Sequence, residues 1–335
     1  MVKAAGLRSA VAIRMGSNPI GCILPYNKKL LNRSTFLFFP LPPSRTHQTT
    51  KMPKAAPWLC HFLETIKAAT RSPPVAWIHD PYNVDDVDYV KECVQSCTFD
   101  TEGLQKKLYD GFKAGTVSLE KKSCPYGSVL VMYEKSAPWA FPYAVVGRVL
   151  QLFYRDRPFR VLFFGSQSKR LAPQPSKSVD ACHINGGYTY PCDPGTIVIY
   201  RREEVARVLI HECYHASCSD PRGKAVEHLE ADTEAWAEVA LCALAARGRE
   251  DLFRRFMKAQ INYAYRQGAI LNKSYNVKSP RDYAWRYTIG KFVVWTRLGL
   301  MGKMGSSALE NVVLPVAEGM SLRLTLEMPG VSDSA

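Results

Sequence analysis

The sequence predicts an α+β chain in which a mixed sheet is followed by a mostly helical C-terminal lobe. Three observations lead there. Three short runs rich in β-branched and aromatic residues, GSVLVMY, FRVLFF and GTIVIY, all fall before residue 201. Beyond them, apolar residues recur at helical spacing almost as far as residue 298. The strands come as a group and the helices follow, without the regular alternation of a βαβ repeat.

Taken in order, the elements begin where the composition turns globular, at Trp58. Residues 86–114 carry helical spacing, with Val87, Val90 and Val94 followed by Leu104, Leu108 and Phe112, and Gly115 ends the run. Gly127 to Tyr133 reads as a strand, Tyr143 to Tyr154 as an amphipathic helix, and Phe159 to Phe164 as a second strand. A loop rich in glycine and proline covers 165–178, and the third strand is Gly195 to Tyr200. Helices are expected over about 202–218, 224–247, 249–268 and 280–298. Residues 52–320 then form one folded domain between a basic segment, 1–51, and a C-terminal tail, 321–335. The sequence shows no internal repeat.

The 44 Lys and Arg outnumber the 30 Asp and Glu, giving a formal net charge of +14. Residues 1–51 hold eight of the basic residues and no acidic one, so the rest of the chain carries only +6. A nucleic-acid surface would gather basic and aromatic side chains in the folded part. Instead Lys106, Lys107, Lys121, Lys122, Arg254, Arg255 and Arg286 are scattered. No specific nucleic-acid partner is expected, and a basic nucleic-acid-binding protein ranks third among the functional readings.

Leu7, Val11, Ala12 and Ile13 interleave with Arg8 and Arg14, the pattern of a mitochondrial transit peptide. Alternatively, Met52 is the start and the protein is cytoplasmic. No run approaches the roughly 18 apolar residues of a membrane-spanning helix, so no transmembrane segment is expected. The ten cysteines include no CxxC pair and follow no secretory signal, which predicts mostly reduced thiols in an intracellular compartment. The oligomeric state is not legible.

The informative segment is RREEVARVLIHECYHASCSD, Arg201 to Asp220, which contains His211, Glu212 and His215 in an H-E-x-x-H pattern. On a helix, residues four apart project from one face, so both imidazoles can reach a single ion while Glu212 lies at the edge of that face. Catalytic zinc uses three protein ligands and lowers the pKa of water to about 7, and Glu212 is placed to take a proton from that water. Val205, Val208 and Leu209 supply the apolar stripe beneath the motif, and GTIVIY precedes it as the wall along which an extended substrate could pair, around 197–200. A third ligand should lie downstream. Gly and His are missing from positions 218 and 221, so the metzincin continuation fails, and Asp220 falls one residue short of that ligand position. The next helix, EHLEADTEAWAE, offers carboxylates, with Glu227 as one candidate and Glu230 and Glu234 sharing a face. His228 reads as a surface imidazole.

The combination of HExxH, a gap of 14 residues and then ExxxE resembles the gluzincin group of zinc metallopeptidases. The longer stretches HINGGYTYP (His183 to Pro191), IVIYRREEVARVLIHECYHA (Ile197 to Ala216), EADTEAWA (Glu230 to Ala237) and YAWRYTIGK (Tyr283 to Lys291) also resemble poorly characterised HExxH proteins of large DNA viruses and protists. Together they span about 110 residues.

The resemblance implies a zincin-like fold and a zinc metallopeptidase acting on a peptide or protein. It implies His211, His215 and Glu230 as the metal ligands, Glu212 as the catalytic base and Glu234 as the carboxylate that orients a ligand histidine. It further implies an oxyanion donor from a later helix, for which Tyr287 and Arg286 are candidates. Asn185, Gly186 and Gly187 form either a plain turn or a loop whose backbone approaches the substrate. Cys213 is expected to pack away from the ligand face, and Cys93 with Cys97, four apart, lacks a histidine partner for a second site. The alternative function is a catalytically inactive zincin-like interaction protein, which would have no need of Glu212.

Overall fold

The computed structural model describes residues 57–174, 177–220, 223–302 and 320–331; the segment 1–51, and with it the transit-peptide expectation, lies outside the described residues. The first helix, α1 (Pro57–Arg71), buries Trp58, Leu59, Phe62, Leu63 and Ile66, the face an amphipathic helix turns to a core. The short strand β1 (Ile78–His79) follows. The helical stretch expected over 86–114 is in fact two helices, α2 (Val84–Ser96) and α3 (Leu104–Lys113). Gly103 precedes α3 in the left-handed region, at φ 66°, where a residue without a Cβ pays least. Both helices bury their apolar residues in one cluster, which includes Val90, Cys93, Leu104 and Leu108. The hydrophobic period therefore runs on across the break and conceals it.

The strand β2 (Val117–Cys124) escapes sequence inspection, because its second half, EKKSC, is polar. It pairs antiparallel with β3 (Gly127–Glu134), from Val117 opposite Glu134 to Cys124 opposite Gly127. After α4 (Tyr143–Phe153), β4 (Phe159–Phe164) lies parallel to β3. A single turn, α5 (Ala181–Ile184), leads into β5 (Gly187–Thr189), and β6 (Ile197–Ile199) follows. The sheet is mixed and six-stranded, in the order β1-β2-β3-β4-β6-β5. Strand β6 is parallel to β4, and β5 is antiparallel to β6. The strand expected to form the substrate wall is thus interior. The edge belongs to β5, three residues too short and too glycine-rich to read as a strand.

Alternation along the strands divides the interior. Val129, Val131, Val161, Phe163, Ile197 and Ile199 share a cluster with α1, α4 and the C-terminal helices. Leu130, Met132, Leu162, Phe164 and Val198 share one with α2 and α3. Successive strand residues point to opposite faces, so the central strands read as uninterrupted apolar runs because both faces are covered.

The helical lobe comprises α6 (Val205–Ala216), α7 (Val226–Ala245), α8 (Glu250–Tyr275), a 3-10 turn (Tyr283–Tyr287) and α9 (Gly290–Arg297). The helix expected over 280–298 is interrupted at Thr288, whose φ of −131° and ψ of −80° are not helical. The stretch read as a C-terminal tail lies against the body in its described part. Ser321 bridges to Leu171, Leu322 and Leu324 are buried, and Thr325 donates to Glu204 through both its N–H (2.5 Å) and its hydroxyl (2.6 Å).

No helix among the described residues is long and apolar enough to cross a membrane. Cys192 and Cys218 form a disulfide, with Cα atoms 4.6 Å apart, an exception to the expectation of mostly reduced thiols. They are 26 residues apart, and only the fold brings the end of α6 beside the β5–β6 connection. Seven other described cysteines are free.

Candidate metal centre

Helix α6 is buried along almost its whole length, since it runs between the sheet and α7. That placement takes the H-E-x-x-H motif out of solvent: His211, Glu212 and His215 are each 6% exposed. The imidazoles of His211 and His215 stand one turn apart with their Nε2 atoms 3.1 Å from each other. From α7, Glu230 brings Oε2 to 3.3 Å from His211 Nε2 and Oε1 to 3.7 Å from His215 Nε2. These are the donors expected around one small ion. Tetrahedral zinc with bonds of 2.0–2.1 Å has ligand-to-ligand edges of about 3.3 Å, so the residues fit such an ion. Among the described residues no other group of three His, Cys, Asp or Glu side chains converges in this way.

The opposite ring nitrogens are held by carboxylates. His211 Nδ1 lies 3.0 Å from Glu234 Oε2, and His215 Nδ1 lies 2.6 Å from Asp220 Oδ2. An ionised carboxylate only accepts, so each Nδ1 carries a proton, and each Nε2, once it gives up its own proton, can turn a lone pair to the shared point. Glu234 receives Arg207 Nη1 on both oxygens, at 2.7 and 2.6 Å. Burial works against its charge, but Arg207 and His211 together hold it well below the usual carboxylate range. Asp220 takes a second hydrogen bond from the Thr233 hydroxyl, at 2.9 Å.

Electrostatics at the cluster are those of paired charges in a low-dielectric setting. Burial opposes protonation of His211, yet hydrogen bonds to Glu230 and Glu234 push it up to about 10. His215 is likewise raised, against its burial, by the Asp220 hydrogen bond. Glu230 is lowered, in spite of burial, by its hydrogen bond to His211 and the charge of His215. Glu212 goes the other way: burial pushes it up to about 7, partly countered by the two histidines.

Close packing of β5 against β6 and α6 explains why that strand begins with glycine. A Cβ on Gly187 would stand 2.8 Å from both Val198 O and Val208 Cγ1, and 3.3 Å from Glu212 Oε1. A Cβ on Gly186 would meet Arg170 Nη2 at 2.1 Å. Asn185 accepts the Tyr283 hydroxyl on Oδ1 at 2.6 Å. The HINGG segment is therefore a turn leading into the edge strand beside Glu212.

The remaining candidates separate cleanly. Tyr287 is brought to the cluster, its ring centroid 6.2 Å from that of His211, and burial pushes its phenol well up. Arg286 is buried, 4.0 Å from Glu227 and over the ring of Tyr283. Glu227 is thereby placed away from the imidazoles, on the side of Arg286. His228 is exposed and packs edge-on against Trp285. Cys213 is fully buried in the core, and Cys97 accepts a hydrogen bond from Gln105 Nε2 at 3.0 Å.

Two residues of the centre lie outside the motif: Arg207, and Asp220 as the partner of a ligand histidine and not itself a ligand. Arg207 lies four residues before His211, so the helical period places it on the same face. That spacing was the available signal. For Asp220 no comparable period exists, because it lies beyond the end of α6. In comparisons with protein-family models, curated proteins and solved structures, none matches the chain.

Proposed function

We propose that this protein is a zinc-dependent hydrolase, a metallopeptidase of gluzincin-like type built on a zincin-like fold. The observation that carries the reading is the convergence of His211 Nε2, His215 Nε2 and a Glu230 oxygen, each imidazole backed by its own carboxylate. Bound at that point, a zinc ion supplies Lewis acidity that polarises a scissile carbonyl and lowers the pKa of water to about 7. The chain's own residues do the rest. Glu212, raised toward neutrality by burial, is matched to accept a proton from water and hand it to the leaving amine. Tyr287 is the candidate donor to the developing oxyanion. Strand β5, the sheet edge beside Glu212, offers main-chain groups to an extended peptide.

An intact Glu212 favours this reading over an inactive zincin-like binding module, since a purely structural ion needs no base. The test is metal content and turnover on one set of variants. Wild-type protein is expected to hold one zinc per chain, and His211→Ala and Glu230→Ala to lose it, while Glu227→Ala keeps it. Glu212→Gln is expected to keep the ion and lose peptide hydrolysis by a factor of about 10²–10⁴. Full zinc in Glu230→Ala would overturn the ligand set, and undiminished turnover in Glu212→Gln would overturn the base.

A further inference from the structure

Helix α6 ends at Ala216, immediately after the second histidine of the cluster. The chain then folds back on itself. Ser217 N–H donates to Cys213 O at 3.0 Å, Cys218 N–H to His215 O at 3.1 Å, and Ser219 N–H to Tyr214 O at 3.0 Å. The His215 carbonyl also accepts the N–H of Cys192, at 2.9 Å, from the β5–β6 connection. Both halves of the Cys192–Cys218 disulfide thus donate to the carbonyl of the same histidine. Each half sits in the left-handed region, Cys192 at φ 63° and Cys218 at φ 56°, a conformation that a non-glycine residue keeps only when its surroundings impose it. Cys192 is anchored in turn, its carbonyl accepting Arg157 Nη2 at 2.8 Å.

Two residues beyond Cys218, Asp220 accepts the Nδ1–H of His215. The contrast with His211 is informative. Its carboxylate, Glu234, lies in the middle of the 20-residue α7 and is gripped by Arg207. Asp220 lies in a connection between helices, and what fixes its main chain on the near side is the disulfide-linked turn. We propose that Asp220 is the positioning residue of His215, and that the Cys192–Cys218 disulfide, by holding the turn that presents it, sets how tightly the centre keeps its metal ion. This rests on the metal-centre reading given above and adds to it a redox dependence.

The chemistry of the switch is thiol–disulfide exchange with a dithiol reductant. One thiolate of the reductant attacks a cysteine sulfur, the Sγ–Sγ bond breaks and the other cysteine leaves as a thiol. The second reductant thiolate then attacks the reductant's sulfur in the mixed disulfide so formed, which closes the reductant's own disulfide and releases the first cysteine as a thiolate that takes up a proton. Two electrons and two protons have passed to Cys192 and Cys218. The turn loses its covalent tether to the β5–β6 connection, and Asp220 is left to the Thr233 hydroxyl, at 2.9 Å, for its position against Nδ1. Carboxylates that orient a ligand histidine are worth about 10–100-fold in metal affinity.

The experiment is zinc affinity of the full chain, measured by competition with a chromophoric chelator, on oxidised protein and on protein reduced with a dithiol and desalted. Cobalt(II) spectra of the same samples report the ligand field directly. Reduction is expected to weaken zinc at least about 10-fold and to alter the cobalt bands, and Cys192→Ser/Cys218→Ser to behave like the reduced wild type. Asp220→Ala is expected to lose about 10–100-fold and to lose little more on reduction, while Asp220→Asn, which keeps an acceptor, recovers part of the loss. Equal affinity in the oxidised and reduced wild type overturns the strap. Unchanged affinity in Asp220→Ala overturns the positioning role, and a further tenfold loss on reducing that variant overturns the link between the two. Absence of zinc from oxidised wild type, with His211→Ala indistinguishable from it, is the separate failure of the metal-centre reading and takes this proposal with it.

Discussion

Arg207 is where two buried carboxylates meet. It donates to both oxygens of Glu234, and its Nε lies 3.7 Å from Glu204, with all three side chains almost wholly out of solvent. Removing a cation shared by two buried carboxylates costs up to about 3–5 kcal/mol, less what Arg170 still compensates at Glu204 and His211 at Glu234. Arg207→Met is expected to lower stability by that amount in urea denaturation, and a loss under 1 kcal/mol would show that the carboxylates find other partners. At this scale much was legible. The spacing of His211, Glu212 and His215 fixes their common face wherever they form a helix, and ExxxE on the next helix puts Glu230 and Glu234 in reach. Asp220 and the disulfide were not legible, because each depends on where an irregular connection folds back in space, and no sequence period encodes that.

Among the elements, α2 is tied to the sheet through one side chain. Asp86 closes the capping box with Asn83 and also pairs with Lys121 on β2 and Arg160 on β4, each at 3.0 Å. Although burial opposes its charge, the Lys121 hydrogen bond and the Asn83 N–H hold it below the usual carboxylate range. A carboxylate whose folded pKa is depressed contributes stability above its unfolded value, near 4, and that contribution fades as the pH falls through the folded value. Asp86→Asn is therefore expected to be less stable than wild type at pH 7, with the gap closing below about pH 4. Denaturant midpoints measured across that range check it, and a gap independent of pH would mean that the cap, not the charge, carries the effect. Elements whose burial follows one simple pattern, the largely buried strands β3 and β4 and the one-sided helix α4, could be read directly. Where one face changes character midway, as in β2, or where two helices share one apolar side, as in α2 and α3, periodicity hides a strand or a boundary.

Across the whole molecule, the described C-terminal residues close onto the start of α6. Glu204, left-handed at φ 60°, precedes that helix. Its carboxylate accepts Arg170 Nη1 at 2.9 Å as well as the two donors of Thr325, 121 residues away in sequence. Thr325→Val keeps the shape and the N–H but deletes one donor to a buried charge, which is expected to cost about 1–3 kcal/mol. A shift in melting temperature, compared with the same substitution in a Glu204→Gln background, measures it; equal losses in both backgrounds would rule out coupling to the carboxylate. A final consequence concerns strand β5. Three residues span only about 10 Å, and main-chain partners are blind to side-chain identity. On the hydrolase reading, such a short ledge would dictate which way round a guest polypeptide is threaded past Glu212 while leaving its composition almost unpoliced. Broad tolerance combined with strict polarity is the behaviour to look for when candidate substrates are screened.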